Sequence, residues 1–164
     1  MNNTPPVTKN LIIINILCFF AAIVAERYGV NLNDVLGLHY FESEKFRLYQ
    51  LFTYMFMHSG FEHILFNMFA VWMFGRILET VWGPQRFLFY YVLCGIGAGL
   101  VQEVTQYFEF LPVMHDMAQF LTFPSDASIP INGTTHSAEQ WVAICQRVIS
   151  VPTVGASGAV YAIL

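Results

Sequence analysis

The chain has 164 residues, of which 56% are hydrophobic and only 11% charged, with a mean hydropathy of +0.54. Soluble domains carry about 25% charged residues, so this composition is too poor in charge to coat a globule, and much of the surface is expected to face lipid. A formal charge of −4 with no basic run offers nothing to a nucleic acid. Cys18, Cys94 and Cys145 have no paired spacing and read as small buried residues.

The first apolar run, "NLIIINILCFFAAIVA" (10–25), lies between Lys9 and Glu26. A signal peptide is one reading, since "AAIVAERYGV" holds a weak cleavage pattern. A retained anchor is the other, and the later spans favour it. Residues 26–61 follow as a long loop, rich in aromatic and charged residues, of the kind that lies in the membrane interface. The second run, "HILFNMFAVWMFGRILETVW" (63–82), is broken by Arg76 and Glu79, and "TVWGPQRF" (80–87) turns it into a hairpin at Gly-Pro. The third, "FLFYYVLCGIGAGLVQ" (87–102), stands between Arg86 and Glu103.

Residues 103–150 form a second insert. In it "FPSDASIPINGTTHS" reads as loop, and Ser137-Ala-Glu-Gln140 has the shape of a capping box. Trp141, Ile144, Cys145 and Val148 then share one helical face, which predicts an interfacial helix ending before Pro152. The last run, "VISVPTVGASGAVYAIL" (148–164), begins a fourth span at about residue 153.

A spanning helix needs about 20 apolar residues, with a range of about 17–25. Each run alone could be a buried core helix; four in one short chain argue for a membrane protein. The expected fold is an all-α polytopic membrane bundle in a single domain, 1–164. It has three full spans, the start of a fourth, and interfacial helices in the first loop and the 103–150 insert. With the N-terminus in the cytoplasm, the short hairpin lies inside and both long segments lie outside. Lys9, Arg76 and Arg86 then face inward against Arg27, Lys45, Arg47 and Arg147 outward, so the positive charges do not decide the orientation.

Helices two and four start on the same membrane side. The start of helix two carries "HSGFEHILFNMF", with His58, His63 and Asn67; the start of helix four carries Ser157. His63 and Asn67 are one turn apart on one face. Polar groups in a span are costly and point into the bundle. Singly, Ser157 reads as an interhelical packing residue, and each His or Asn as a cap or loop anchor. Gathered at one depth they could perform acyl transfer. Ser157 would be the nucleophile, activated by a base. Its backbone N–H, the Asn67 amide and a His63 imidazole N–H would be donors to the oxyanion, at a helix N-terminus with free N–H groups.

"GASGAVYAIL" together with "HSGFEHILFN" resembles the rhomboid intramembrane serine proteases, with their G-x-S-G serine and H-x-x-x-N pair. His58 lies five residues before His63 as in many bacterial members. Glu79 and Gly83 match an acidic residue and a glycine at the end of helix two, and Tyr161 matches an aromatic that flanks the catalytic histidine. The resemblance covers about residues 49–102 and 152–164. It implies Ser157 as nucleophile, His63 and Asn67 as oxyanion donors, and Gly155, Gly158, Tyr161, His58 and Glu79 in support. It further implies transmembrane protein substrates cut in the bilayer near its surface, no metal or cofactor, and a bacterial inner membrane location. Tyr49-Gln50 stands where many relatives have Trp-Arg, and the 103–150 insert is longer than in the simplest relatives.

Rhomboids take their general base from a histidine in a sixth helix, in a G-H-x-x-G pattern that these residues lack. The histidines here are His39, His58, His63, His115 and His136. From Ser157 to Leu164 an α-helix rises about 12 Å, short of a hydrocarbon core about 30 Å thick. The chain thus reads as a fragment whose parent is an endopeptidase and which is inactive alone. Competing readings are a non-catalytic rhomboid relative that binds membrane segments, and a small transporter component in which Gly95, Gly97 and Gly99 allow close packing. The oligomeric state is not legible.

Overall fold

Proline at the first position of a helix loses no hydrogen bond and has the helical φ already set. Pro6 uses this to open α1 (Pro6–Arg27), 22 residues that rise about 33 Å. The computed structural model of the chain describes residues 4–120, 128–131 and 134–161. No local side chain caps α1. The cap comes from far along the sequence: Glu79 Oε1 accepts the Val7 N–H at 2.8 Å, and its Oε2 accepts the Thr8 N–H at 2.7 Å and the Thr8 hydroxyl at 2.8 Å. Thr8 and Glu79 are both buried, so this carboxylate discharges its lone pairs on donors that α1 would otherwise leave open. On the opposite side of α1, Leu17, Phe20 and Val24 are 63%, 59% and 54% exposed, which suits a lipid-facing surface.

The first loop folds back on itself. Asn31 Oδ1 accepts the Asp34 N–H at 3.1 Å and starts the short α2 (Leu32–Leu36). Further on come α3 (Gln50–Thr53) and a 3-10 turn, Tyr54–Phe56. The buried Gln50 side chain holds the loop together. Its Oε1 accepts N–H groups from Arg47 (3.0 Å) and His39 (3.4 Å), and its Nε2 donates to the carbonyls of Lys45 (3.0 Å) and Val35 (3.2 Å). This is how a loop without Trp-Arg anchors itself.

The second spanning helix is continuous from Phe61 to Trp82, made of α4 (Phe61–Ala70), a π-turn at Val71–Gly75 and α5 (Arg76–Trp82). Arg76 does not end it; its guanidinium sits 5.0 Å over the Trp72 ring. Gly83 ends it at φ +83°, its N–H returning to the Glu79 carbonyl at 2.9 Å. Pro84 then opens α6 (Pro84–Phe120).

The third helix departs from the expected bounds of 87–102. It begins at Pro84 and runs 37 residues, with its apolar part reaching Leu111. Glu103 was expected to close it, yet Glu103 Oε2 accepts the Phe41 N–H at 2.8 Å and its neighbour Gln106 is buried as well. Tyr40 also packs edge-on against Phe110 at 5.2 Å. The folded loop thus covers this face, and a charge that meets a backbone donor need not end a helix.

Within the insert, the segment read as loop contains an antiparallel pair, β1 (Ser128–Ile131) and β2 (Thr134–Ser137), with Ser128 opposite Ser137; residues 121–127 and 132–133 lie outside the described ones. The capping box is formed in both directions: Gln140 N–H donates to Ser137 Oγ at 3.2 Å, and Ser137 N–H donates to Gln140 Oε1 at 3.1 Å. It starts α7 (Ala138–Ile149), where Cys145 and Ile149 are buried. The side chains of Trp141, Ile144 and Val148 lie outside the described residues. After Pro152 the chain pairs with the first loop, Leu38 and Thr153 exchanging N–H···O bonds of 2.9 and 2.8 Å, and enters α8 (Ser157–Tyr161). Among the described residues the bundle thus has three helices long and apolar enough to span a membrane and the short α8, with Tyr54, Met55, Ile64, Tyr91, Ala156 and Ala159 in its core.

Candidate active site

Gly60, with extended backbone, leads into the first turn of α4, so His63 and Asn67 project from successive turns of one face. Asn67 is 6% exposed, and its Nδ2, a donor, has no hydrogen-bond partner among the described residues. The His63 Nδ1 faces Ser59, with the hydroxyl at 3.1 Å and the backbone N–H at 3.5 Å. Behind it His58 is buried, its ring 5.1 Å from that of His63 and nearly edge-on. Burial above all, and then the neighbouring His63, pushes the His58 imidazole down to about 4, so it is neutral at physiological pH.

The segment before α8 closes on this face. The Gly155 N–H donates to the Tyr54 carbonyl at 2.9 Å, and Gly155 has φ +120°. A Cβ added there would lie 2.5 Å from His63 Nε2 and 3.3 Å from Asn67 Nδ2. Only glycine permits both the backbone angle and the approach. Three residues on, a Cβ at Gly158 would lie 2.5 Å from the Ala98 Cβ of α6 and 3.1 Å from Tyr54 Oη, while that hydroxyl donates to the Gly95 carbonyl at 2.6 Å. The glycines on either side of Ser157 therefore do the close packing, and Ser157 itself is not needed for it.

The structure thus brings Gly155 against His63 and Asn67, with the half-buried Ser157 two residues further along. Among the described residues no hydrogen bond is formed by the Ser157 hydroxyl. Glu79 stands apart, at the far end of the second helix on the α1 N-terminus. Tyr161 closes the described part of α8, and its side chain lies outside the described residues. Sequence reasoning passed over Ser59 and Tyr54. Ser59 is four residues before His63, a spacing that could have marked it; the Tyr54 contacts are long-range and leave no local pattern.

Residues 45–164 match the Rhomboid domain. This chain belongs to the rhomboid family. As a rhomboid with three helices long and apolar enough to cross a membrane, it is an integral membrane protein. It is 30% identical over 108 residues to the rhomboid protease GluP of Bacillus subtilis, which is 63% of this chain and 21% of GluP. It is 34% identical over 59 residues to the rhomboid protease GlpG of Salmonella newport, 36% of this chain and 21% of GlpG. A second Bacillus subtilis relative, YdcA, is 34% identical over 65 residues, 40% of this chain and 33% of YdcA. The matched rhomboid segments span a third or less of the length of these relatives.

Proposed function

We propose that this chain carries the nucleophile and the oxyanion donors of an intramembrane serine endopeptidase that cleaves transmembrane segments of other proteins. The observation that carries the reading is the buried, unpartnered Asn67 Nδ2 beside the Gly155 backbone, two residues from Ser157. A buried donor without an acceptor is costly in a folded protein. It is retained with profit where an anion forms during reaction.

In this mechanism Ser157 Oγ attacks the scissile carbonyl carbon as its proton passes to a base. The oxyanion so formed receives hydrogen bonds from the Ser157 N–H, Asn67 Nδ2 and His63 Nε2. Collapse releases the amine half of the substrate, which takes the proton back from the base, and water, giving a proton to that base, then hydrolyses the ester on Ser157. Donors already in place cost no reorganisation in a site of low dielectric.

On this reading the base is the histidine that the rhomboid resemblance implies in a G-H-x-x-G pattern, a pattern these 164 residues lack. Among the histidines here, His58 is buried behind His63, and the His39 Nε2 is engaged with the Asp34 carbonyl at 2.7 Å. Without that pattern, this reading expects no turnover from these 164 residues alone. The membrane is a bacterial cell membrane, as the bacterial relatives suggest.

The test uses the full-length natural protein in proteoliposomes with a transmembrane reporter substrate. Cleavage that Ser157→Ala abolishes is expected. Cleavage that survives Ser157→Ala contradicts the proposal, and no cleavage together with tight binding of the reporter favours a non-catalytic binder.

A further inference from the structure

We propose that Ser59 is a positioning residue that fixes the tautomer of His63, so that the imidazole offers a proton at Nε2 rather than a lone pair. This rests on the protease reading for its use, though not for its geometry. Two groups of Ser59 converge on His63 Nδ1, the hydroxyl at 3.1 Å and the backbone N–H at 3.5 Å. The hydroxyl can donate or accept, and by itself leaves the tautomer open. The backbone N–H can only donate. A proton on Nδ1 would point at another N–H, whereas a lone pair there receives both donors. In neutral imidazole one nitrogen carries the proton and the other accepts. With Nδ1 accepting, Nε2 carries the proton.

That nitrogen is also the one that faces the segment before Ser157, since a Cβ on Gly155 would lie 2.5 Å from it. The Ser59 contact therefore aims a donor, and not a base, at the place where the oxyanion forms. It also explains why His63, although it stands next to the serine segment, does not serve as the general base. Among the described residues no hydrogen bond joins the His58 ring to that of His63, whose rings meet only edge to face. Ser59 is exposed, so its substitution leaves the core intact.

The experiment compares full-length wild type, Ser59→Ala and Ser59→Thr. Nitrogen-15 spectra of histidine-labelled protein, with His63 assigned through His63→Gln, are expected to show wild-type Nδ1 unprotonated and Nε2 protonated. Ser59→Ala keeps only the longer backbone contact, and both resonances should move toward a tautomer average. On the reporter substrate kcat should fall about three- to tenfold, the worth of one hydrogen bond, with KM unchanged. Ser59→Thr, which keeps the hydroxyl, should restore the spectrum and bring kcat within about twofold of wild type.

A proton on Nδ1 in the wild type, or a Ser59→Ala spectrum identical to it, overturns the inference. If cleavage depends on Ser157 and Ser59→Ala retains full kcat, the Ser59 inference fails alone. If the tautomer behaves as described and no Ser157-dependent cleavage occurs, the protease reading fails, and with it the catalytic use of the lock.

Discussion

Gly155 and His63 touch, and nothing larger than a hydrogen fits on the Gly155 Cα beside the imidazole. This contact ties the segment before Ser157 to the helix that bears the two proposed oxyanion donors. Gly155→Ala should therefore displace either the loop or the ring. The left-handed φ of +120° adds strain for any L side chain. The expected result is a loss of activity of about tenfold or more, in line with the cost of misplacing reacting groups by about 1 Å, in a protein that still folds. Reporter cleavage read beside the thermal midpoint in detergent separates the two effects.

The Glu79 carboxylate holds the start of α1 through three hydrogen bonds, all in a buried setting. Glu79→Ala leaves those donors open and should cost about 2–4 kcal/mol. Glu79→Gln keeps one carbonyl oxygen and should cost less. Thermal unfolding in detergent reports both, and an unchanged midpoint for Glu79→Ala would show that α1 does not depend on this cap.

Gln50 makes four hydrogen bonds inside the first loop. Gln50→Ala should destabilise the loop by about 1–3 kcal/mol. Because Leu38 of that loop pairs with Thr153, the effect should also reach the serine segment. Faster amide exchange at Leu38 and Thr153 in the variant is the measurement that checks it.

These contacts mark the limit of what the sequence shows. His63 and Asn67 lie one helical turn apart, so their shared face was legible from spacing alone, as was the capping box that Ser137 and Gln140 form in both directions. The Gly-Pro break at 83–84 likewise needs only local chemistry. Glu79 on Thr8 spans 71 residues, and no local pattern announces a side chain that caps a distant helix. Glu103 misled for a related reason. A charge closes a hydropathy window, but it does not close a helix when the Phe41 N–H meets it. The strand pair at 128–137 was read as loop because its proline, glycine and serine residues favour turns. Cross-strand pairing overrides that preference, as strand propensities depend on context.

His58 supplies a pH dependence with a definite sign. Its imidazole titrates near 4 in the folded protein and near 6.5 when unfolded. Between these values the unfolded state binds more protons, so stability falls as the pH drops from about 6.5 to about 4. The contribution is present in full above that window and lost below it, roughly 3 kcal/mol in all. His58→Phe should flatten this part of the profile of thermal midpoint against pH. A slope unchanged by the substitution would place the titrating group elsewhere.

The central claim is that Ser157 is a nucleophile beside an oxyanion site built on His63 and Asn67. It is tested most directly by treating the full-length protein with a fluorophosphonate and locating the adduct by tandem mass spectrometry, in wild type and Asn67→Ala. The adduct should fall on Ser157, with the labelling rate about 10²-fold lower in Asn67→Ala, the usual cost of losing one oxyanion donor. An adduct on another serine, or labelling of Ser157 at the same rate in both proteins, would contradict the account.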